Sequence, residues 1–468
     1  MLPESVSRRD WLRSAGLGMG ALAASSLLAD EGGLSPLSAR APHFAPKAKR
    51  VIHLFMNGGP SQIDSFDPKP KLNELDGQDL PQSLLDSLQP TQRNRAGKLL
   101  GSPFQFQRHG ESGVEISELY PHVAQHADNL CVIRSMVGEV ANHSPGLLLT
   151  NCGHSTLPRP SLGSWLLYGL GSVSENLPGF VVLCPGGLPT AQSRNWTSAF
   201  LPGIYQGTHI DTAKREGELI PDLTRRDIRP GSQRAQVALT QFLNERHRDA
   251  RPGDQRLDSR IHSLELAFRM QTAATDVFDL SQEPLHIRER YGDTLQGRNM
   301  LTARRLVERG VRFVQCYHGA GQPWDSHGSV IPNSRRLAGE CDQAIGALLA
   351  DLKQRGMLDD TIVLWGGEMG RTPTTQGNTK DKNKMGRDHH IDGYTLWLAG
   401  GGFRGGLMYG ATDELGMSAI ENRLPMHDLH ATILHQLGFN HEQLTYRYSG
   451  RDFRLTDVHG KVRTDLLS

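Results

Sequence analysis

Short, almost unbroken apolar runs punctuate the chain, and most of them stop at glycine. They are "RVIHLFMNGG" (50–59), "LCVIRSM" (130–136), "GFVVLCPGG" (179–187), "GVRFVQCYHGAG" (310–321), "TIVLWGGEMG" (361–370) and "YTLWLAGGG" (394–402). They lack the polar alternation of a sheet with one wet face. Such runs predict central strands covered on both sides, as in a mainly parallel sheet. Helical periodicity fills the intervals. "SRRLAGECDQAIGALLADLKQRGML" places Leu337, Cys341, Ile345, Leu348 and Leu352 on one face, and Gly356 fits the C-terminal stop. "MHDLHATILHQLGF" does the same with Leu429, Ile433, Leu434 and Leu437. Strand and helix alternating at this rhythm predict an α/β domain.

Residues 190–310 differ. They are richer in charge and in helix formers, and "RAQVALTQFLNERHRDA" and "RIHSLELAFRMQTAATDVFDL" read as amphipathic helices. The segment is expected to be a largely helical insertion on one side of the sheet. With no internal repeat and no linker, residues 42–468 are expected to form one large domain.

The first 41 residues follow another logic. "SVSRRDWLRSAGLGMGALAASSLLA" sets Arg8 and Arg9 before a weakly apolar run that is too short to span a bilayer. Ser-Arg-Arg-x-aromatic-Leu resembles a twin-arginine export signal, and Ala39-Arg40-Ala41 offers a small-x-small cleavage site. The expectation is a periplasmic or extracellular protein with no membrane span in the mature chain. Charge adds little: 51 basic residues face 50 acidic ones, which gives no reason to expect nucleic acid or an anionic membrane as partner. The 51 glycines and 26 prolines mark a loop-rich globular chain. The five cysteines are odd in number, widely spaced and without a C-x-x-C, so they read as small buried thiols and select no disulfide.

Candidate chemistry gathers where the strands are expected to end. In an open parallel sheet, ligands bind beyond the carboxyl ends of the strands. The first run delivers Asn57, then Asp64 and Asp67; the fourth delivers His318, Asp325 and His327. The fifth delivers Glu368 and Arg371, and "GRDHH" before the sixth supplies Arg387, Asp388, His389 and His390. Carboxylates and imidazoles converging from separate strand ends suit a divalent metal. Blander readings stand beside this one. Glu368 could pair with Arg371, and one of His389 and His390 could be buried while the other is exposed. Asp64 and Asp67 could only cap a turn, His318 could point away, and His427 and His430 read as structural.

The quoted runs, together with "NHSPGLLLTNCG", "WDSHG", "LWLAGGGFRGG" and "YRYSGRDFRLTDVHG", resemble the DUF1501 family over essentially residues 50–460. That family consists of secreted bacterial proteins, abundant in planctomycetes and grouped with the alkaline phosphatase/sulfatase superfamily. The resemblance implies a three-layer α/β fold with a mainly parallel central sheet. Against sulfatases, Glu368 takes the place of a metal-binding aspartate and Met369 that of a histidine, while Asn57 stands for the first strand's aspartate. His143 falls where a serine, threonine or formylglycine precursor would be, with Ser144 as nucleophile if the register is off by one. Asp325, His327 and His390, with His389 beside them, resemble one retained metal site. The resemblance thus implies one divalent metal (zinc, calcium or manganese) rather than two.

Two functions fit these residues. One is a metal-dependent hydrolase of a phosphate or sulfate ester, such as one on a polysaccharide. In it Glu368 bridges to the metal or acts as base, Arg371 and Arg387 hold the anion, and His143 serves as nucleophile or general acid. The other is a non-catalytic exported protein that binds an anionic glycan or a partner in the same cleft.

Overall fold

The computed structural model describes residues 37–87, 93–214, 219, 230–251, 254–376 and 379–468. The twin-arginine stretch through residue 36 lies outside them. Residues 39–468 form one compact unit.

All six apolar runs are strands: β1 (Arg50–Phe55), β2 (Leu130–Val137), β3 (Phe180–Leu183), β5 (Phe313–Tyr317), β6 (Thr361–Gly366) and β9 (Tyr394–Ala399). Three short strands of the same sheet carry no long apolar run: β4 (Thr208–Ile210), β10 (Leu407–Tyr409) and the two-residue Leu424–Pro425, which pairs with the end of β2 off the main path. The order is β10-β2-β9-β6-β1-β5-β3-β4. Pairing is parallel from β6 through β1, β5 and β3 to β4, and only β9 runs antiparallel to its neighbours. The expected mainly parallel sheet is therefore present.

Both faces are covered, which explains the lack of polar alternation. On one face Ile52, Leu54, Val314, Val363 and Trp365 share a core with Leu301 and Leu306 of helix α5 (Leu295–Glu308) and with Leu337, Ile345 and Leu348 of α6 (Val330–Gln354). On the other, His53, Gln315 and Leu364 face α1 (His143–Cys152), α2 (Leu162–Leu170) and α7 (Met426–Gln436). Within residues 190–310, helices α3 (Pro230–Asp249) and α4 (Gln255–Phe278) precede α5. The same segment also supplies β4, the sheet's outermost strand. A second, three-stranded sheet holds β7 (Gly370–Gln376) and β8 (Gly386–His390), paired antiparallel with a register shift between Arg371 and Thr375.

The registers align the ends of three central strands. Phe55 lies opposite Tyr317 of β5 and Gly366 of β6. The loops after β1, β5 and β6 therefore leave the sheet side by side.

Candidate metal centre

Those three loops interlock closely. Gly58 adopts φ +109°, and a Cβ there would stand 2.5 Å from the Asp325 backbone nitrogen. Only glycine tolerates both the angle and the approach. Asn57 clamps the loop after β5: its amide donates to the carbonyls of Gly319 (2.8 Å) and Gly321 (2.7 Å), and its Oδ1 accepts from His318 N–H. The loop continues through Asp325 and His327. The Arg387 N–H donates to Ser326 O at 3.0 Å and so ties it to β8. Glu368 sits in the turn after β6. α1 begins at His143, and β8 carries His389.

One ligand atom from each of His143, Asp325, His327 and His389 lies within 4.8 Å of the others. Asp325 is the centre of the group. His143 Nε2 is 3.2 Å from its Oδ2; His327 Nε2 and His389 Nε2 are 3.1 and 3.4 Å from its Oδ1. The opposite nitrogen of every ring meets an acceptor. His143 Nδ1 is 2.7 Å from Glu368 Oε1, His389 Nδ1 is 3.0 Å from Ala141 O, and His327 Nδ1 meets Gln376 Oε1. A carboxylate and two carbonyl oxygens can only accept, so each Nδ1 carries the proton. In the neutral rings, each Nε2 then turns its lone pair toward Asp325. Such outer partners fix the tautomer and orientation of metal-binding histidines.

Three lone pairs aimed at a carboxylate repel it unless a cation stands between them or the rings are charged. His143 is buried, and its Nε2 has no aligned hydrogen-bond partner despite its closeness to Asp325. Three imidazole nitrogens and one carboxylate oxygen are donor types that suit a zinc-type ion, which can expand to a fifth position for water or substrate. The residues thus fit a divalent metal. Without one, burial works against the charged form of His143, but Asp325 and Glu368 outweigh it and raise the pKa. Burial likewise pushes Asp325 up, while the three imidazoles and Arg371 prevail and hold it far below the usual carboxylate range.

Several expected site residues have other tasks. His390 adjoins His389 on β8, so its side chain leaves the opposite face of the strand. It is buried, with its pKa lowered first by that burial, and does not join the cluster. The Asn57 side chain is occupied by the backbone of the loop after β5. Arg371 is fully buried: it donates to the carbonyls of Gly58 and Gly59 and to Asp325 Oδ1 at 2.8 Å, so it holds the site together and is unavailable to an anion. Arg387 is also fully buried, pairing with Asp64 at 2.9 Å and with Thr372 O. Asp67 pairs with Lys69 at 3.0 Å and accepts from Thr412. Glu368 meets His143 and the Gly58 N–H (3.1 Å) rather than Arg371, and it stands behind the ligand cluster, outside it. His318 points to Glu340, 3.0 Å away. Ser144 follows His143 on α1 but is not part of the cluster. The contacts of Gln376 and Ala141 had no sequence signal, because both depend on a bulged register and a loop approach.

Fold and site together define an α/β protein whose histidine–aspartate cluster, at the carboxyl edge of its sheet, could bind a metal. The chain belongs to the family described as "Protein of unknown function (DUF1501)", whose profile matches residues 48–467. Its structural neighbours are sulfatases and alkaline phosphatases. A sulfatase from Pseudoalteromonas sp. (PsFucS1) is 12% identical, with 95% of this chain and 74% of that one covered at a TM-score of 0.37. A phosphonate monoester hydrolase from Silicibacter pomeroyi is 14% identical, with 68% of each chain covered and a TM-score of 0.32. The alkaline phosphatase of the Antarctic bacterium TAB5 is 13% identical, with 76% and 92% covered and a TM-score of 0.30. No curated protein matches the sequence.

Proposed function

We propose that this protein is an exported, single-metal hydrolase of a phosphate or sulfate ester borne by an anionic small molecule or glycan. The observation that carries the reading is the convergence of three Nε2 atoms on Asp325, each ring held from behind by an acceptor. The donor set suits zinc or manganese better than calcium, which prefers six to eight oxygens. A divalent ion there would supply Lewis acidity toward an ester oxygen and toward water. The chain's own residues bind and orient. Asp325, His143, His327 and His389 would hold the ion, and Glu368 fixes the His143 ring. The His327 side chain, 34% exposed against 9% for His143, marks the open side from which substrate enters. His143 is assigned to the ligand set and not to a phospho-histidine, because Nδ1 is taken by Glu368 and Nε2 faces Asp325. The Arg-Arg pattern at residues 8 and 9 supports export.

A second reading is favoured by one observation. Arg371 and Arg387 are spent on internal partners. A cleft of this kind could capture an anionic ester without turning it over. The deciding experiment is metal analysis of purified protein and of Asp325→Ala, followed by assays with aryl phosphate and aryl sulfate. About one zinc or manganese per chain, lost in the variant, with metal-dependent turnover supports the hydrolase. Metal and anion binding without turnover supports the capture protein. Wild-type protein that takes up no metal refutes the hydrolase, and failure to bind the anion as well refutes the capture protein.

A further inference from the structure

A second feature lies beyond the metal cluster, where residues 446–453 form a β-hairpin. Tyr446–Tyr448 pairs antiparallel with Arg451–Phe453, and Ser449 and Gly450 between them both have positive φ (47° and 84°), as a two-residue hairpin turn requires. The pairing sets Tyr446 opposite Phe453 and Tyr448 opposite Arg451. These four side chains therefore share one face, while Arg447 and Asp452 pair on the other at 3.2 Å. The aromatic face lies against Phe200, with ring centroids at 5.2 Å from Tyr448 and 4.9 Å from Phe453.

Core packing accounts for Phe200 and Phe453, both only partly exposed. It does not account for Tyr448, which is 48% exposed and stacks nearly parallel to Phe200 (16°), leaving its outer ring face to solvent. Nor does it account for Arg159. That guanidinium lies 4.3 Å over the Phe453 ring and, among the described residues, makes no ion pair. Burial pulls its pKa down from the usual arginine value; Asp457 opposes the fall and the like charge of Arg451 adds to it. A second guanidinium, Arg451, lies 4.8 Å over the same ring and takes the nearby Asp457 as its ion-pair partner, so the aromatic face sits beside two cations and one carboxylate and combines apolar stacking with excess positive charge.

We propose that Tyr448, Phe200, Phe453 and Arg159 form a binding strip for an anionic polysaccharide, in which a sugar ring stacks on Tyr448 and its charged substituent meets Arg159. The strip deepens the ester-hydrolase reading by making the substrate a chain held at a point separate from the metal cluster. It requires no residue of that cluster.

The test is affinity electrophoresis of the full-length protein in gels containing dextran sulfate or unmodified dextran, with Tyr448→Ala, Arg159→Gln and Arg447→Gln. We expect retardation by dextran sulfate and not by dextran. Tyr448→Ala and Arg159→Gln should each weaken it about tenfold or more, and Arg447→Gln, on the hairpin's other face, should leave it unchanged. Melting temperatures and metal content should match wild type in all three, and any aryl-ester turnover should match it in Arg447→Gln, which keeps failure of the strip distinct from failure of the hydrolase reading. Equal retardation by dextran overturns the proposal, as does equal weakening by Arg447→Gln. So do unweakened Tyr448→Ala and Arg159→Gln, or a dimer in sedimentation that Tyr448→Ala dissociates.

Discussion

Glu368→Gln changes one atom and should weaken the metal site without dismantling it. The carboxylate accepts the His143 Nδ1–H at 2.7 Å and takes the Gly58 N–H with both oxygens, at 3.1 and 3.2 Å. Its side chain is fully buried, so no water replaces a lost acceptor. A glutamine has one acceptor oxygen. If that oxygen serves Gly58, the amide NH2 faces His143 Nδ1, which must then accept. The proton moves to Nε2, and the lone pair aimed at Asp325 disappears. If the oxygen serves His143 instead, the Gly58 N–H is orphaned where Gly58 lies against the Asp325 backbone. Either route loses a charge-assisted bond behind a ligand, and such losses cost about 10–100-fold in metal affinity, or about 1.4–2.7 kcal/mol. Zinc affinity measured by competition with a chromophoric chelator checks this, with thermal unfolding of metal-free protein as the folding control. Affinity within twofold of wild type, in a folded variant, would show that Glu368 does not orient His143, and the assignment of that ring to the ligand set would fall with it.

Arg371→Met should destabilise the fold by about 3–5 kcal/mol in denaturant unfolding, since it strips the carbonyls of Gly58 and Gly59 and leaves Asp325 without its cation; a loss below about 1 kcal/mol contradicts this role. Burial holds His53 and His430 at pKa values of about 3, each helped by a neighbouring histidine. The unfolded chain protonates these rings near pH 6.5 and the folded one only near 3, so stability is lost as pH falls through that interval. The loss is about 1.4 kcal/mol per pH unit for each ring. His53→Gln should therefore flatten the acid limb of melting temperature against pH, and an unchanged slope counts against it. The five cysteines are all buried and unbridged, with the thiols of Cys131, Cys184 and Cys316 pushed up to about 12 by desolvation. A chromogenic disulfide reagent should find no reactive thiol in native protein and five after denaturation; rapid native labelling refutes this.

The main strands were legible because burial on both faces removes polar positions from a run, and that leaves a mark in the residues themselves. β4 left no such mark, since three residues at a sheet edge need little apolar content. Within the site, residue types were more legible than directions. His389 and His390 are neighbours on a strand, so one faces the cluster and the other faces away, and the sequence does not say which. Arg371 and Arg387 looked suited to an anion because a cation near strand ends is usually solvated. Here glycine-rich turns bring bare carbonyls close, and these carbonyls, with Asp325 and Asp64, consume both guanidinium groups. The start of α1 brings His143 to the cluster, yet its role turns on Glu368 behind it, a contact between residues 225 positions apart.

Arg371 also bears on how the centre fills and empties. A buried guanidinium that already fastens the three neighbouring turns leaves little for an incoming ion to organise. Extraction by a chelator should therefore be reversible, with stripped and reloaded samples giving overlapping amide spectra everywhere except around the four ligands.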